Sequence, residues 1–342
     1  MVLFRALVKL PWRMNVVILS DSFGRQFPYL RLSVTDQCNF KCVYCLPDGY
    51  QGGSHPSQFL SLTEIYHLIM AFSELGLKKV RITGGEPTLR RDLLGIISMI
   101  RNFENVEVLA LSTNGHNLKN QALRFKQAGL THLNISLDDL DQGRFFKIRG
   151  RDCGQVVLDG IEAALECGFQ RIKLNSVLMK EDWEDRAENF EKWIQDKPLT
   201  VRFIELMPTE GRREFHIANH LPAQIFKDWL LKHGWKPKNR TRLGGPACEY
   251  AHDEHKGEFG LISAYENEFC GSCNRLRVTA KGELRMCLFG KGNTNIRHLL
   301  ESESQKLELK NKLIQLLKSK ENSHGLHAQD PGNNRSFSAM GG

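Results

Sequence analysis

The sequence lacks a hydrophobic run long enough to cross a membrane, and it lacks a recognisable secretory leader. No apolar run approaches the ~20 residues that a membrane-spanning helix requires. The first twenty residues contain Arg5, Lys9 and Arg13 but no clean apolar core or small-residue cleavage site, so a weak targeting segment and a start at Met14 both stay open. Nine cysteines without a leader predict a reducing compartment, and we expect a cytoplasmic protein with no membrane partner.

The sequence also lacks a long basic run, although its 47 Lys and Arg residues outnumber its 39 Asp and Glu residues. Proteins that follow a nucleic-acid backbone carry clustered basic residues, so we expect no nucleic-acid partner despite the net charge of +8. A polyphosphate ligand is the other polyanion that this charge would suit. The length of 342 residues allows one large α/β domain with an extension.

A fourth cysteine is missing beside the first cysteine cluster, Cys38, Cys42 and Cys45, which form C-x3-C-x2-C in the run CNFKCVYC. A structural [4Fe–4S] cluster takes four cysteine ligands, so three would leave one iron open. An open coordination position is what distinguishes a reactive metal site from a closed one. Zinc is the alternative, but the nearest histidine, His55, lies beyond a proline and several glycines. Disulfides are disfavoured in a reducing compartment.

The second cysteine cluster, Cys270, Cys273 and Cys287, forms C-x2-C-x13-C and again has no fourth cysteine nearby. A second [4Fe–4S] cluster with an open iron is one interpretation. A zinc site that uses the distant Cys248 or a histidine is the other. Two open-iron clusters in one chain would allow one to activate a cosubstrate and the other to hold a substrate.

Short apolar runs alternate with amphipathic helical patterns from Pro28 to about Leu206. The predicted strands are Tyr29–Val34, Lys79–Thr83, Val106–Ser112, His132–Leu137, Arg171–Val177 and Val201–Leu206. The predicted helices are Leu62–Gly76, Arg91–Phe103, Leu118–Ala128, Gln155–Cys167, Asp185–Ile194 and Pro222–His233. Six β/α units imply a parallel sheet with right-handed crossovers, too few for a closed eight-fold barrel. We therefore predict an α/β fold, an incomplete six-stranded β/α barrel with its active site at the carboxyl ends of the strands.

The pattern changes after Asn239, where the run TRLGGPACEY is rich in turn residues. The predicted elements beyond it are the strands Phe259–Ser263, Leu276–Thr279 and Glu283–Cys287 and a helix at about Leu307–Leu317. We predict an N-terminal extension at 1–22, the partial barrel at 23–238, and a smaller C-terminal iron–sulfur extension with its tail at 239–342.

The first cysteine cluster, with the aromatic Tyr44 before its last cysteine, resembles the motif of radical S-adenosylmethionine (SAM) enzymes. Together with the run FCGSCNRLRVTAKGELRMCL and the terminal Gly341 and Gly342, it makes the chain resemble the GTP 3′,8-cyclase family of molybdenum-cofactor biosynthesis, from about Phe23 onward. The resemblance implies two [4Fe–4S] clusters, one on each cysteine cluster, and SAM as cosubstrate. It also implies that a 5′-deoxyadenosyl radical takes the 3′ hydrogen of GTP, and that the ribose radical adds to C8 of guanine.

The resemblance further implies ligand contacts at positions that match the family. The positions matching GTP contacts are Arg31, Arg81, Ser112, Lys173, Arg275 and Arg277. The positions matching the SAM site are Tyr44, Gly85, Ser136 and Met207. Ser112 is usually threonine in the family but keeps the hydroxyl, and Arg202 is a further candidate for phosphate. The tail residues Gly341 and Gly342 would insert toward the active site.

The basic residues also point to a polyanion on physical grounds. Arg275 and Arg277 are two apart, so on a strand they project from one face, and guanidinium groups bind phosphate oxygens bidentately. Arg31, Arg81 and Lys173 lie in apolar strand patterns, where a buried cation is costly unless a partner neutralises it. A triphosphate would do so. The alternative is that each is ion-paired within the protein.

The implied partners are GTP, an external electron donor and, by analogy, a downstream cyclic pyranopterin monophosphate synthase. The oligomeric state stays open between monomer and homodimer. Three other interpretations also remain: a peptide-modifying radical enzyme, a nucleic-acid-modifying one, and a non-enzymatic zinc or iron–sulfur scaffold. Cys153, Cys167 and His216 match no ligand pattern.

Overall fold

The structure of the chain is a computed structural model, which describes residues 18–266, 269–290 and 292–328 together with Gly332 and Phe337. Twelve strands form one sheet. The strands are β1 (Tyr29–Ser33), β2 (Lys79–Thr83), β3 (Val108–Thr113), β4 (His132–Ser136), β5 (Arg171–Leu178), β6 (Leu199–Glu205), β7 (Lys236–Pro237), β8 (Cys248–Ala251), β9 (Glu258–Ile262), β10 (Arg275–Val278), β11 (Glu283–Arg285) and β12 (Thr294–Asn295).

The helices lie between these strands in the order of a β/α barrel. They are α1 (Leu62–Glu74), α2 (Leu93–Arg101), α3 (Leu118–Gln127), α4 (Gln142–Arg149), α5 (Gly154–Glu166), α6 (Trp183–Ile194), α7 (Arg213–Asn219), α8 (Ala223–Lys232) and α9 (Lys306–Lys318). Ser61 begins α1 with a capping box, because its hydroxyl accepts from the Glu64 amide and the Glu64 carboxylate accepts from the Ser61 amide. None of the helices in these described ranges is both long and apolar enough to span a membrane.

The prediction of an open β/α barrel is confirmed. Strands β1 to β6 pair in parallel in chain order, each with the next. Two strands from the C-terminal region extend this series in parallel, since β10 pairs with β1 and β9 pairs with β6. In the described part of the chain β9 and β10 do not pair with each other, so the barrel stays open between them.

The two faces of the barrel strands differ in chemistry. Alternate residues such as Leu30, Leu32, Val80 and Ile82 are fully buried in the main hydrophobic core. The residues between them face the opposite side, because successive side chains of a strand alternate. That side is polar and basic, and the strand register aligns Arg31 with both Arg81 and Arg277. The barrel interior is therefore lined with cations.

Several elements were not predicted from the sequence. Helices α4 and α7 and the short strands β7, β8 and β12 were missed, and the end of the run read as turn-rich forms β8. The C-terminal strands also continue the barrel sheet instead of forming a sheet of their own. The predicted division of the chain at 22 and 238 stays a prediction, and residues 1–17 lie outside the described residues.

Candidate active site at the carboxyl ends of the barrel strands

The loop after β1 contains the first cysteine cluster. Cys42 is buried, and Cys38 and Cys45 are half-buried. The end of α4 holds this loop through two backbone hydrogen bonds, from Lys41 N to Arg149 O (3.1 Å) and from Val43 N to Ile148 O (2.9 Å). Burial raises the pKa of the Cys38 thiol to about 11. A cation or metal must therefore compensate the thiolate before it can form at neutral pH.

The Gly-Gly-Glu-Pro segment after β2 supports the same loop. Gly85 N donates to Thr35 O (2.9 Å) and Glu86 N donates to Gln37 O (2.7 Å). A Cβ atom on Gly85 would stand 2.1 Å from Gln37 O, so only glycine allows this approach. The close approach at Gly85 is thus to the backbone of the cysteine loop. The expected contact of Gly85 with SAM stays a prediction.

Glu86 is a site residue that the sequence did not single out. Its carboxylate is buried and accepts hydrogen bonds from Thr113 Oγ1 (2.7 Å) and Asn114 N (2.6 Å). Asn114 in turn donates through Nδ2 to Asn39 Oδ1 (2.7 Å) in the cysteine loop. Burial raises the pKa of Glu86. The carboxylate therefore joins the ends of β2 and β3 to the loop that holds the cysteines.

Asp138 and Arg149 were also missed, and they surround Tyr44. Tyr44 donates its hydroxyl hydrogen to Asp138 Oδ2 (2.9 Å), and Arg149 Nε lies 2.6 Å from the same oxygen. Ser136 is half-buried two residues before Asp138, at the end of β4. A double aspartate directly after a buried strand is the sequence signal that could have indicated this position. Tyr44 thus contacts the segment that directly follows Ser136, and the expected contacts of both residues with SAM stay predictions.

The second cysteine cluster lines a cavity of about 250 Å³. All three of its cysteines reach this cavity, which also takes in side chains predicted to bind GTP or SAM. These are Arg31, Arg275, Arg277 and Met207. The first cysteine cluster, Arg81, Ser112 and Lys173 do not line the cavity. Arg81 is nevertheless the register partner of Arg31, which lines the cavity. The interior of the barrel around Arg81 is therefore adjacent to the cavity.

Cations set the electrostatics of the second cysteine cluster. Burial alone would raise the pKa of Cys273, but Arg275 and Lys320 outweigh it and lower the pKa to about 7. Lys320 is buried and donates to Met286 O (2.6 Å), beside Cys287. These surroundings favour the thiolate of Cys273, the form that binds metal, whereas burial raises the pKa of Cys270.

Arg25 ties this cysteine cluster to two distant parts of the chain. Its Nη1 donates to Cys270 O (3.0 Å) and to Asn322 O (2.6 Å), and its Nε pairs with Asp21 Oδ2 at 2.6 Å. The buried ion pair and both carbonyl contacts fix the loop that holds Cys270. Arg25 was not predicted from the sequence, because its partners are far apart along the chain.

The interior of the barrel has buried cations that repel one another. Burial, the nearby Arg202 and the other cations lower the pKa of Lys173 to about 7, against the opposite effect of Glu249. Burial and Arg81 lower the pKa of Arg202 to about 9. Burial would raise the pKa of Tyr29, but the neighbouring Arg81 and Lys79 lower it to about 8. Such mutual repulsion is what an anionic ligand would relieve.

Several polar groups of the interior have no hydrogen-bond partner among the described residues. Among them are the Nε atoms of Arg81, Arg202, Arg275 and Arg277 and the hydroxyl of Ser112. A buried donor without a partner costs free energy, so these atoms suit a ligand that brings acceptors. Lys173 differs, because it contacts Glu249, whose other carboxylate oxygen lies 2.8 Å from Arg171 Nη2. Lys173 is thus ion-paired within the protein in this structure, and its expected contact with GTP stays a prediction.

No three His, Cys, Asp or Glu side chains within the described ranges are arranged to hold a metal ion as they stand. In a [4Fe–4S] cluster each cysteine binds a different iron, so the fit of such a cluster depends on the donor set. Each cysteine cluster offers three thiols with no disulfide partner. Both donor sets therefore suit a [4Fe–4S] cluster with one open iron.

Comparison with known proteins identifies the family. A model of the Radical SAM superfamily matches residues 32–192, and one of Molybdenum Cofactor Synthesis C matches residues 199–326. The GTP 3′,8-cyclase of Haemophilus influenzae is 45% identical over 324 residues, which cover 95% of this chain and 96% of that protein. The GTP 3′,8-cyclase of Pectobacterium atrosepticum is 45% identical over 325 residues, 95% and 99% of the two chains. The chain belongs to the GTP 3′,8-cyclase family.

Solved structures agree with this family at the level of the fold. Streptococcus suis SuiB bound to SAM has a TM-score of 0.62 at 14% identity and covers 87% of this chain and 69% of its own. The enzyme anSMEcpe with bound SAM has a TM-score of 0.56 at 14% identity over 86% and 85% of the two chains. The GTP 3′,8-cyclase family lies within the radical SAM superfamily, which implies a [4Fe–4S] cluster and SAM as cofactors.

Proposed function

We propose that the protein is a radical SAM GTP 3′,8-cyclase that converts GTP to (8S)-3′,8-cyclo-7,8-dihydroguanosine 5′-triphosphate, the first step of molybdenum-cofactor biosynthesis. The observation that carries this proposal is the cavity in which the second cysteine cluster meets Arg31, Arg275 and Arg277. Guanidinium groups there suit a triphosphate, and thiolates suit an iron with an open position.

The first cysteine cluster would hold the radical-generating [4Fe–4S] cluster. When bound, that cluster and SAM together supply the 5′-deoxyadenosyl radical. The chain contributes the ligands Cys38, Cys42 and Cys45, and Tyr44, Gly85, Ser136 and Met207 would line the SAM site. Glu86 and Asp138 keep the surrounding loops in place, since both carboxylates are fully buried and hydrogen-bonded.

The second cysteine cluster would hold the other [4Fe–4S] cluster, whose open iron suits the purine base. Cys270, Cys273 and Cys287 share one cavity, and Arg275 and Lys320 stabilise the Cys273 thiolate. The contacts of Arg25 keep the loop of Cys270 in position.

The triphosphate would lie against the cations of the barrel interior. Arg81, Arg275 and Arg277 offer Nε donors without partners in the described part of the chain, and Ser112 offers a free hydroxyl. Arg202 Nε is likewise without a partner there, while its Nη2 donates to Asn134 Oδ1 and Asn175 Oδ1 at 2.6 Å each. We therefore place all five side chains as phosphate contacts, with Arg202 also supporting the interior.

Other parts of the proposal concern the partners and the tail. An external one-electron donor must reduce the clusters, and a cyclic pyranopterin monophosphate synthase would consume the product. Gly341 and Gly342 lie outside the described residues. Phe337, a few residues earlier, packs against the small core of Ala264, Phe289 and Leu326, which Met207 and Cys287 also contact. This contact supports a tail that runs toward the active site.

The test of this function is to incubate the reduced enzyme with GTP and SAM. We expect 5′-deoxyadenosine and a cyclised nucleotide in equal amounts. Formation of 5′-deoxyadenosine with unchanged GTP would contradict the proposed substrate, and a modified peptide or nucleic acid would favour the alternatives.

Metal analysis tests the two cofactors separately. Anaerobically reconstituted protein should hold about eight irons per chain, and serine at Cys270, Cys273 and Cys287 should leave about four. Zinc in place of iron at the second cysteine cluster would overturn the two-cluster proposal.

A further inference from the structure

Arg149, the last residue of α4, is buried beside the first cysteine cluster. Only 4% of the residue is exposed. Its Nη1 donates a hydrogen bond to Cys42 Sγ (3.4 Å), and its Nε lies 2.6 Å from Asp138 Oδ2. Its Cζ stands 5.7 Å from the centre of the Tyr44 ring. One guanidinium group therefore contacts a predicted cluster ligand, a buried carboxylate and the aromatic residue of the motif.

Asp138 fixes the position of this guanidinium. Its Oδ1 accepts from Val177 N (2.7 Å) on β5, and its Oδ2 accepts from the Tyr44 hydroxyl (2.9 Å). A buried ion pair needs such additional hydrogen bonds to offset desolvation. The direction in which Arg149 points is thus determined by the segment after β4 and its contacts with β5 and the cysteine loop, and not by its own helix alone.

The side chain of Arg149 is not needed to attach the cysteine loop to α4. Backbone hydrogen bonds from Lys41 N and Val43 N already do this, and Arg151 Nη1 donates to Asn39 O (2.7 Å). Arg149 Nη2 is buried and makes no hydrogen bond to any residue in the described ranges. The guanidinium group of Arg149 therefore has a hydrogen-bond donor that is not used to attach the cysteine loop.

Hydrogen bonds to cysteine sulfurs are one of the means by which proteins set the potential of an iron–sulfur cluster. A donor that points at the sulfur stabilises the reduced cluster more than the oxidised one, because reduction adds negative charge. The effect is strong in a buried site, where water does not screen it.

We propose that Arg149 raises the reduction potential of the [4Fe–4S] group bound by the first cysteine cluster, through its hydrogen bond to the Cys42 sulfur. Arg149 is then a positioning residue that acts through a ligand, and Asp138 holds it there. This inference rests on the proposed function, since it requires a [4Fe–4S] cluster on Cys38, Cys42 and Cys45.

The test is a redox titration of the reconstituted full-length enzyme followed by electron paramagnetic resonance. Arg149→Met should lower the equilibrium constant for reducing this cluster about tenfold, which moves its midpoint potential about 59 mV more negative for one electron. Arg149→Lys keeps a charged donor and should give a smaller shift. Lys147→Met is the matched control, because this exposed cation lies two residues earlier on α4, and it should give none. The potential of the [4Fe–4S] group bound by Cys270, Cys273 and Cys287 serves as the internal reference.

The same titration with Cys270, Cys273 and Cys287 replaced by serine isolates the signal of the first cluster. Arg149→Met leaves the Asp138 carboxylate buried without its cation. The double variant Arg149→Met/Asp138→Asn removes both charges, so it gives the reduction potential when both side chains are neutral. Wild-type potentials in the iron-loaded variants would overturn the inference. Loss of the cluster in all three variants would also overturn it, because Arg149 would then be needed for assembly.

These outcomes separate the inference from the proposed function. A wild-type protein without iron at the first cysteine cluster would refute the proposed function itself. If the wild-type protein cyclises GTP but replacing Arg149 leaves the reduction potential unchanged, only the role of this arginine is refuted.

Discussion

Replacing Lys173 by methionine should stabilise the GTP-free protein. The ammonium group of Lys173 lies in a barrel interior with Arg202 and other cations, which lower its pKa from 10.5 to about 7. Methionine removes the charge and keeps most of the apolar stem. Arg171 still pairs with Glu249 at 2.8 Å, so the carboxylate does not become an isolated buried charge.

The size of the effect follows from the shift in pKa. A lysine that is protonated in the unfolded chain and has a pKa of about 7 in the folded one costs about 4 kcal/mol of stability at pH 7. This figure is an upper limit for the gain, because Glu249 loses one of its donors in the variant. We expect the free energy of unfolding to rise by about 1–4 kcal/mol.

The sign of the pH dependence is specific to a lysine whose pKa is lowered. Between the folded pKa of about 7 and the ordinary 10.5, the unfolded chain binds more protons than the folded one. The stability that Lys173 removes from the wild type is thus regained as pH rises through this window. The difference between variant and wild type should shrink by about 2 kcal/mol between pH 7 and pH 9.

Urea unfolding of the reconstituted protein without GTP, under anaerobic conditions at pH 7 and pH 9, measures both quantities. Lys192→Met is the control, because this side chain is 75% exposed on α6 and should change neither stability nor its pH dependence. A Lys173→Met protein that is less stable than the wild type at pH 7 would refute the reasoning. A difference that does not change with pH would also refute it.

Three further variants test other parts of the site. Arg275→Ala should weaken GTP binding by about 1.5–3 kcal/mol, the range for a hydrogen bond to a charged group, and unchanged affinity in calorimetry would remove Arg275 from the site. Gly85→Ala should displace the cysteine loop and leave about four irons per chain, whereas full iron content would contradict the role of this close approach. Deleting Gly341 and Gly342 should abolish turnover and spare SAM binding, and an active truncated enzyme would refute the role of the tail.

The sequence allowed the barrel strands to be predicted because their outer faces form a continuous apolar core. Residues such as Leu32 and Ile82 are fully buried against helices, and their spacing in the sequence reflects this. The same strands carry Arg31 and Arg81 on the other face. That alternation of apolar and basic residues was visible in the sequence, and it led to the predicted polyanion.

Helix α4 was missed because it has little of the amphipathic pattern that indicates a helix. Only Phe145 and Arg149 are buried along its length, so its apolar residues do not recur at helical spacing. The helix is held instead by polar contacts, among them the bond from Arg149 to Cys42. Such contacts depend on residues far away in the chain, and a local pattern does not indicate them.

The buried charges of the site were missed for a related reason. Glu86, Asp138 and Arg149 are residue types that usually lie at the surface. Their burial is possible because partners from other strands neutralise or hydrogen-bond them, as Thr113 does for Glu86. The pairing of β9 with β6 and of β10 with β1 was likewise hidden, since short strands do not specify which distant strand they join.

GTP labelled with deuterium at the 3′ carbon tests the central claim most directly. The reduced enzyme with SAM and this substrate should transfer the deuterium to 5′-deoxyadenosine and release a cyclised nucleotide that has lost it. If 5′-deoxyadenosine forms without deuterium, or the cyclised nucleotide keeps the label, the radical cyclase account is contradicted.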